Sequence, residues 1–239
     1  MDYSELFNDK IMVHKAPLEC YIHDLSISKT EFYNLSGKSI LLIGGGKSPI
    51  KKGLADNGII NCVVANIEPY LAQASYDIQD VLFRKSLFDF DYWNHLDKFD
   101  EIWLRFSLPR FANTDAQKLL SFFIPLLMLK ERGFLRILPV SDRWLAALKD
   151  LERIGASHSI KQIQSMNPVA FEKKFIDMLS ADDLPKPPPL KLDDIFDGNI
   201  PKVYFDNRNV DNLVTLQKTK RFDKWQFQSL IIALQTKSA

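Results

Sequence analysis

Three consecutive glycines, Gly44, Gly45 and Gly46, follow the apolar run Ile40–Ile43 and precede Lys47, Ser48 and Pro49. A second apolar run opens at Cys62 and ends at Glu68 and Pro69. Glycines in series let a backbone approach a ligand without side chains in the way. A helix starting just beyond them would add the positive end of its dipole. A carboxylate about twenty residues further on is placed to accept hydrogen bonds from ribose hydroxyls. Arg105 lies in the otherwise apolar run Ile102–Phe106, where a buried charge needs a partner. The sequence offers a ligand anion, or Asp89 or Asp91, for that role. Ser86 and Ser107 stand just past the ends of apolar runs, and Tyr21 lies in the N-terminal segment.

The elements that must position these residues alternate. The patterning predicts strands at 40–43, 61–67, 80–84, 100–106 and 134–140. Helices are predicted at 49–57, 70–77, 91–97 and 115–132. Apolar strands alternating with amphipathic helices imply right-handed βαβ units. The expected fold is a doubly wound, mostly parallel α/β sheet with helices on both faces and a C-terminal antiparallel strand. Ser48 is expected to cap the first of these helices with Pro49 in its first turn, and Gly58 to stop it. Thr114 and Gln117 form a capping box on the helix from 115, and Gly133 is expected to end it. Residues 1–36 read as a lead-in or lid of one or two short helices, and 37–239 as the main domain, with a proline-rich crossover or insertion at 182–201. Further elements are expected as a helix at 143–153, a strand at 158–163, a helix at 168–179, strands at 202–205 and 212–217 forming a hairpin, and a closing helix at 225–235.

Three kinds of glycine-rich site compete. A P-loop requires a glycine where Leu41 stands, inside the strand, so that reading fails. The dinucleotide fingerprint begins at Gly44 and Gly46 but meets Pro49 at its third position. The third comparison fits better. The strand 40–43 with Gly44-Gly45-Gly46-Lys47-Ser48, followed by Asn66-Ile67-Glu68-Pro69-Tyr70, resembles the first two motifs of class I S-adenosylmethionine-dependent methyltransferases. The segments 100–109 and 133–140 resemble that family's fourth and fifth strands. The resemblance covers roughly residues 36–142 and implies a Rossmann-like methyltransferase fold. It implies S-adenosyl-L-methionine as cofactor, held by Gly44, Gly45, Gly46, Lys47, Ser48, Glu68, Pro69, Ser86 and Ser107, with Arg105 and Tyr21 toward the substrate. The ribose acid is assigned to Glu68, with Asn66 as the other position. Leu42, Ser48 and Lys85 stand where the family carries other residue types, which keeps a catalytically inactive binding protein in view. An NAD(P)-dependent oxidoreductase is the third reading. No catalytic residue stands out, and the methyl acceptor, small molecule or protein, is not specified.

Composition narrows the rest. Hydrophobic residues make up 46% and charged residues 26%, values of a globular protein. A net charge of +1 gives no strong nucleic-acid or membrane signal. Two cysteines make no disulfide framework, and Cys62 reads as a buried thiol. The start MDYSELFNDK carries three acids and no apolar run, unlike a signal peptide. A cytoplasmic protein is expected. His14, His23, His95 and His158 lack ligand spacing, so no metal is expected.

Overall fold

The structure, a computed structural model, describes residues 16–69, 77–110, 112–145, 148, 155–166, 190–200, 210–220, 229 and 232. Among the described residues, seven strands form one sheet: β1 (Ser39–Ile43), β2 (Val63–Ile67), β3 (Val81–Phe83), β4 (Phe99–Arg105), β5 (Leu129–Leu138), β6 (Ala156–Gln164) and β7 (Val210–Lys218). Their order is β3-β2-β1-β4-β5-β7-β6. Neighbours from β3 to β5 pair in parallel, while β7 runs antiparallel to both β5 and β6. This is the expected doubly wound, mostly parallel sheet with an antiparallel C-terminal strand. The order in which strands are added reverses between β1 and β4, so the crevice for a ligand lies at their carboxyl ends.

The two faces of the sheet differ. Leu41, Ile43, Ala65, Ile67, Ile102, Leu104, Leu135 and Ile137 pack with helix α4 (Asp115–Met128) into one apolar core. Side chains alternate along a strand, so the opposite face takes Ile40, Leu42, Val64, Trp103 and Leu138. These pack beneath helices α1 (Leu18–Asp24), α2 (Lys29–Tyr33) and α3 (Ile50–Asp56). The same alternation places buried Asn66, Glu68, Glu101, Arg105 and Arg136 on this second face. On the first face, buried Lys218 sits at the amino end, where its Nζ donates to Leu129 O at 2.6 Å and pairs with Asp97.

The N-terminal helices are built into this core. Ser28 and Glu31 form a reciprocal capping box on α2. Leu18, Tyr21, Ile22 and Leu25 are buried, and Leu18 rests on Gly53 of α3, where a Cβ would lie 2.7 Å from Leu18 Cβ. That close approach offsets the usual cost of glycine within a helix. Two short helices complete the described set, α5 (Asp142–Leu145) and α6 (Leu192–Phe196).

Several expectations shift. The helix expected over 91–97 is replaced by a 3-10 turn, Tyr92–His95, with another, Leu87–Asp89, before it. Gly133 does not end α4: the helix stops at Met128, and β5 begins at Leu129. Pairing of Leu129 with Phe99 overrides the helical preference of Lys130-Glu131-Arg132. Gly133 instead sits in an irregular part of the ladder, where a Cβ would lie 2.9 Å from Asp100 O. Thr114 caps α4 as expected, but Gln117 reaches back to the Asn113 amide rather than to that of Thr114. The strand expected at 212–217 is β7, paired with β5 and β6. Expectations for 70–76, 168–179, 182–189 and 202–205, and for most of 149–154 and 225–235, lie outside the described residues.

Candidate functional site

The glycine turn joins β1 to α3 and is held from two sides. Gly44 has φ +72°, and a Cβ there would lie 2.6 Å from Ser107 Cβ, so conformation and space both demand glycine. Ser107, just past β4, donates from Oγ to Ile43 O at 2.7 Å, tying the exits of β1 and β4 together. On the other side, Gly44 N donates to Ile67 O at 2.9 Å. Gly45 N donates to Asn66 Oδ1 at 3.3 Å, and Gly46 N donates to Glu68 Oε2 at 3.2 Å. Asn66 on β2 and Glu68 just past its end are two residues apart, so both point to the same face and reach adjacent amides. Glu68 is buried at 8% exposure.

The start of α3 is equally occupied. Ser48 N donates to Gly45 O and Ile50 N to Ser48 O. Lys51 N and Lys52 N donate to Ile78 O and Asp77 O. Pro49 has no N–H and takes the N-cap position expected of Ser48. Ser48 is fully buried, and its Oγ accepts from Ala16 N at 3.0 Å. The Tyr21 hydroxyl lies 3.4 Å from both Gly45 O and Ser48 Oγ, to which it donates. From Gly44 to Lys52, only the Lys47 amide is left without an internal partner. A phosphate cradle needs several converging backbone donors. One amide beside a buried carboxylate is not such a cradle.

Arg105 is buried at 1% exposure, but its partner is neither Asp89 nor Asp91. Its Nε donates to Asp24 Oδ2 at 2.8 Å, and its terminal nitrogen lies 2.6 Å from the same oxygen. It also donates to Met166 O at 3.0 Å, while Asp24 Oδ1 accepts from Met166 N at 2.8 Å. The Tyr21 and Phe106 rings lie on the guanidinium, at 5.1 and 4.8 Å. Burial works against the charge, and Asp24 outweighs it, raising the pKa of Arg105 above the ordinary value. Arg105 therefore joins α1, β4 and the end of β6, and brings Tyr21 to the glycine turn.

Lys47 and Pro69 are exposed beside the turn and just after Glu68. Ser86 caps the 3-10 turn Leu87–Asp89 by accepting from Phe88 N at 3.2 Å. Lys51 and Lys52 pair with Asp80 and Asp56. Asp24 was invisible as a partner for Arg105, although it is an acid inside the apolar run from Leu18 to Leu25. Gln79 carried no signal at all. Burial pushes the thiol of Cys20 up to about 12 and that of Cys62 up to about 11, so both stay protonated at neutral pH and neither is a poised nucleophile. Among the described residues, no group of histidine, cysteine and carboxylate could hold a metal ion, and no helix is long and apolar enough to cross a membrane.

No family model and no curated protein matches the chain. Solved structures do. One is an S-adenosylmethionine-dependent O-methyltransferase from Thermotoga maritima, with 14% identity, 93% of this chain and 72% of that chain covered, and a TM-score of 0.46. Another is an N-methyltransferase from Bradyrhizobium japonicum in complex with S-adenosylhomocysteine, with 13% identity, 84% and 95% covered, and a TM-score of 0.45. A third is a 16S rRNA (adenine(1408)-N(1))-methyltransferase from Catenulisporales acidiphilia, with 10% identity, 81% and 91% covered, and a TM-score of 0.44. These likenesses are distant, and the ligand chemistry has to come from the site itself.

Proposed function

We propose that the carboxyl ends of β1 and β2 bind S-adenosylmethionine, and that the chain transfers its methyl group to an acceptor. The observation that supports this reading is the occupation of the turn. The amides of Gly44, Gly45 and Gly46, and those opening α3, are bonded within the chain. Beside them lies a buried carboxylate, Glu68, whose Oε2 accepts from Gly46 N. Such a site favours hydroxyl donors and disfavours phosphate, which matches a nucleoside rather than a dinucleotide. The same observation counts against the NAD(P) reading, whose pyrophosphate needs the donors that Asn66 and Glu68 already hold.

In this arrangement Glu68 accepts from the ribose hydroxyls, and the side-chain-free turn allows close approach. The Lys47 ammonium, exposed at the rim, complements the carboxylate of the amino-acid portion. When bound, the cofactor supplies an electrophilic methyl group. Because its leaving group is already good, the protein's share of the rate comes from alignment and exclusion of water. Ser107 shapes the wall against Gly44, and Arg105 acts through Tyr21 by fixing α1 over the turn.

Thermal-shift titration tests the reading. S-adenosylmethionine and S-adenosylhomocysteine should raise the melting temperature, because a ligand of the native state stabilises it. NAD should not. A shift with NAD and none with either sulfur compound at millimolar concentration would overturn the proposal. Methyl transfer to an acceptor then separates an enzyme from a binding protein.

A further inference from the structure

The turn is held by a directional relay of hydrogen bonds that ends without a partner. Gly45 N donates to Asn66 Oδ1 at 3.3 Å. Asn66 Nδ2 in turn donates to Gly46 O at 3.4 Å and to Gln79 Oε1 at 3.3 Å. Gln79 is buried at 1% exposure, and its Nε2 has no hydrogen-bond partner. Side-chain amides are often drawn the wrong way round, but here the orientation is determined. A backbone N–H can only donate, so Gly45 fixes Asn66 with its oxygen toward the turn. Asn66 then presents its NH₂ to Gln79 and so fixes the oxygen of Gln79 toward Asn66. Reversing Gln79 alone would set two donors against each other. The backbone on either side holds the residue in place. Ile78 O accepts from Lys51 N, and Asp80 N donates to Val64 O at 2.8 Å.

A buried donor without an acceptor destabilises the ligand-free protein and calls for an explanation. We propose that Gln79 is a ligand-binding residue: its Nε2 donates to an acceptor atom, a ring nitrogen or ribose oxygen, of the nucleoside held by Glu68. The inference rests on the nucleoside reading of the site. Asn66 is then the positioning residue of the relay, linking the glycine turn to Gln79, and Glu68 alone takes the ribose role.

Calorimetric titration with S-adenosylhomocysteine, paired with melting of the ligand-free protein, tests it. Gln79→Leu removes the orphaned donor, so the ligand-free melting temperature should stay equal or rise, while affinity falls about tenfold. Gln79→Glu keeps an acceptor for Asn66 but turns the donor into a second acceptor, and should weaken binding at least as much. The Gln79 side-chain amide resonance of the wild-type protein should also shift on binding. A residue that only supports the fold would move the melting temperature and leave affinity alone. Unchanged affinity in both variants, or an unmoved amide resonance in a wild-type protein that binds, overturns the role of Gln79 and leaves the nucleoside site standing. No binding by the wild type overturns both.

Discussion

The two faces of the sheet solve different problems with the same strands. Toward α4, β1, β2, β4 and β5 present aliphatic side chains that need only volume and shape. Toward α1, those strands carry Asn66, Glu68, Glu101, Arg105 and Arg136, each buried and each with a polar partner. Within that polar face there is a second contrast. At the exit of β4 the Asp24–Arg105–Met166 network is closed. At the exit of β2 the network through Asn66 ends in an unpartnered donor. A closed buried network specifies structure, whereas one that ends in an unpartnered donor carries a cost that a hydrogen-bond acceptor would remove.

The sharpest way to break this contrast is to remove one member of the closed network. Arg105→Met leaves Asp24 buried without its cation and should cost about 3–5 kcal/mol in urea unfolding. Ile102→Leu on the apolar face conserves volume and should cost less than about 1.5 kcal/mol. Equal losses would erase the distinction between the faces. Gly44→Ala forces a left-handed alanine against Ser107 and should cost about 2–4 kcal/mol, with partial recovery in a Ser107→Gly background. No recovery would mean that the backbone angle alone demands glycine.

The smallest effect lies at the amino edge. Asp100 accepts from Ser39 N and from Lys130 Nζ at 2.7 Å. Burial would raise its pKa, but the hydrogen bonds from Lys130 and Ser39 outweigh it and lower the value. With the folded pKa below the unfolded one, this contribution is present above the ordinary aspartate range and is lost as pH falls through the lowered value. Asp100→Asn should flatten the acid side of the stability curve by on the order of 0.5 kcal/mol. An unchanged acid limb would contradict the assignment.

Much of the apolar framework was legible. Continuous aliphatic runs mark strands buried on both faces, and Gly44–Gly46 marked the turn between β1 and α3. The errors arose where long-range pairing beat local preference. Lys130-Glu131-Arg132-Gly133 reads as a helix end, yet pairing with β4 makes it strand. The alternation of polar residues at 66 and 68, and at 101 and 105, was present in the sequence and marks the polar face in retrospect. Their partners were not legible. Asp24 is far from Arg105 in sequence, and Gln79 reaches Asn66 only because its neighbours bond to β2 and α3. Ser48 looked like a helix cap because local pattern cannot reveal that Ala16 and Tyr21 cover it.

The central claim is that the turn between β1 and α3 holds a nucleoside through Glu68 and offers no phosphate cradle. Calorimetric titration of S-adenosylhomocysteine into wild-type protein and Glu68→Gln tests it most directly. The account predicts saturable binding to the wild type, weakened about tenfold or more in the variant, because a hydrogen bond to a charged group is lost. Binding of equal strength in Glu68→Gln would contradict it.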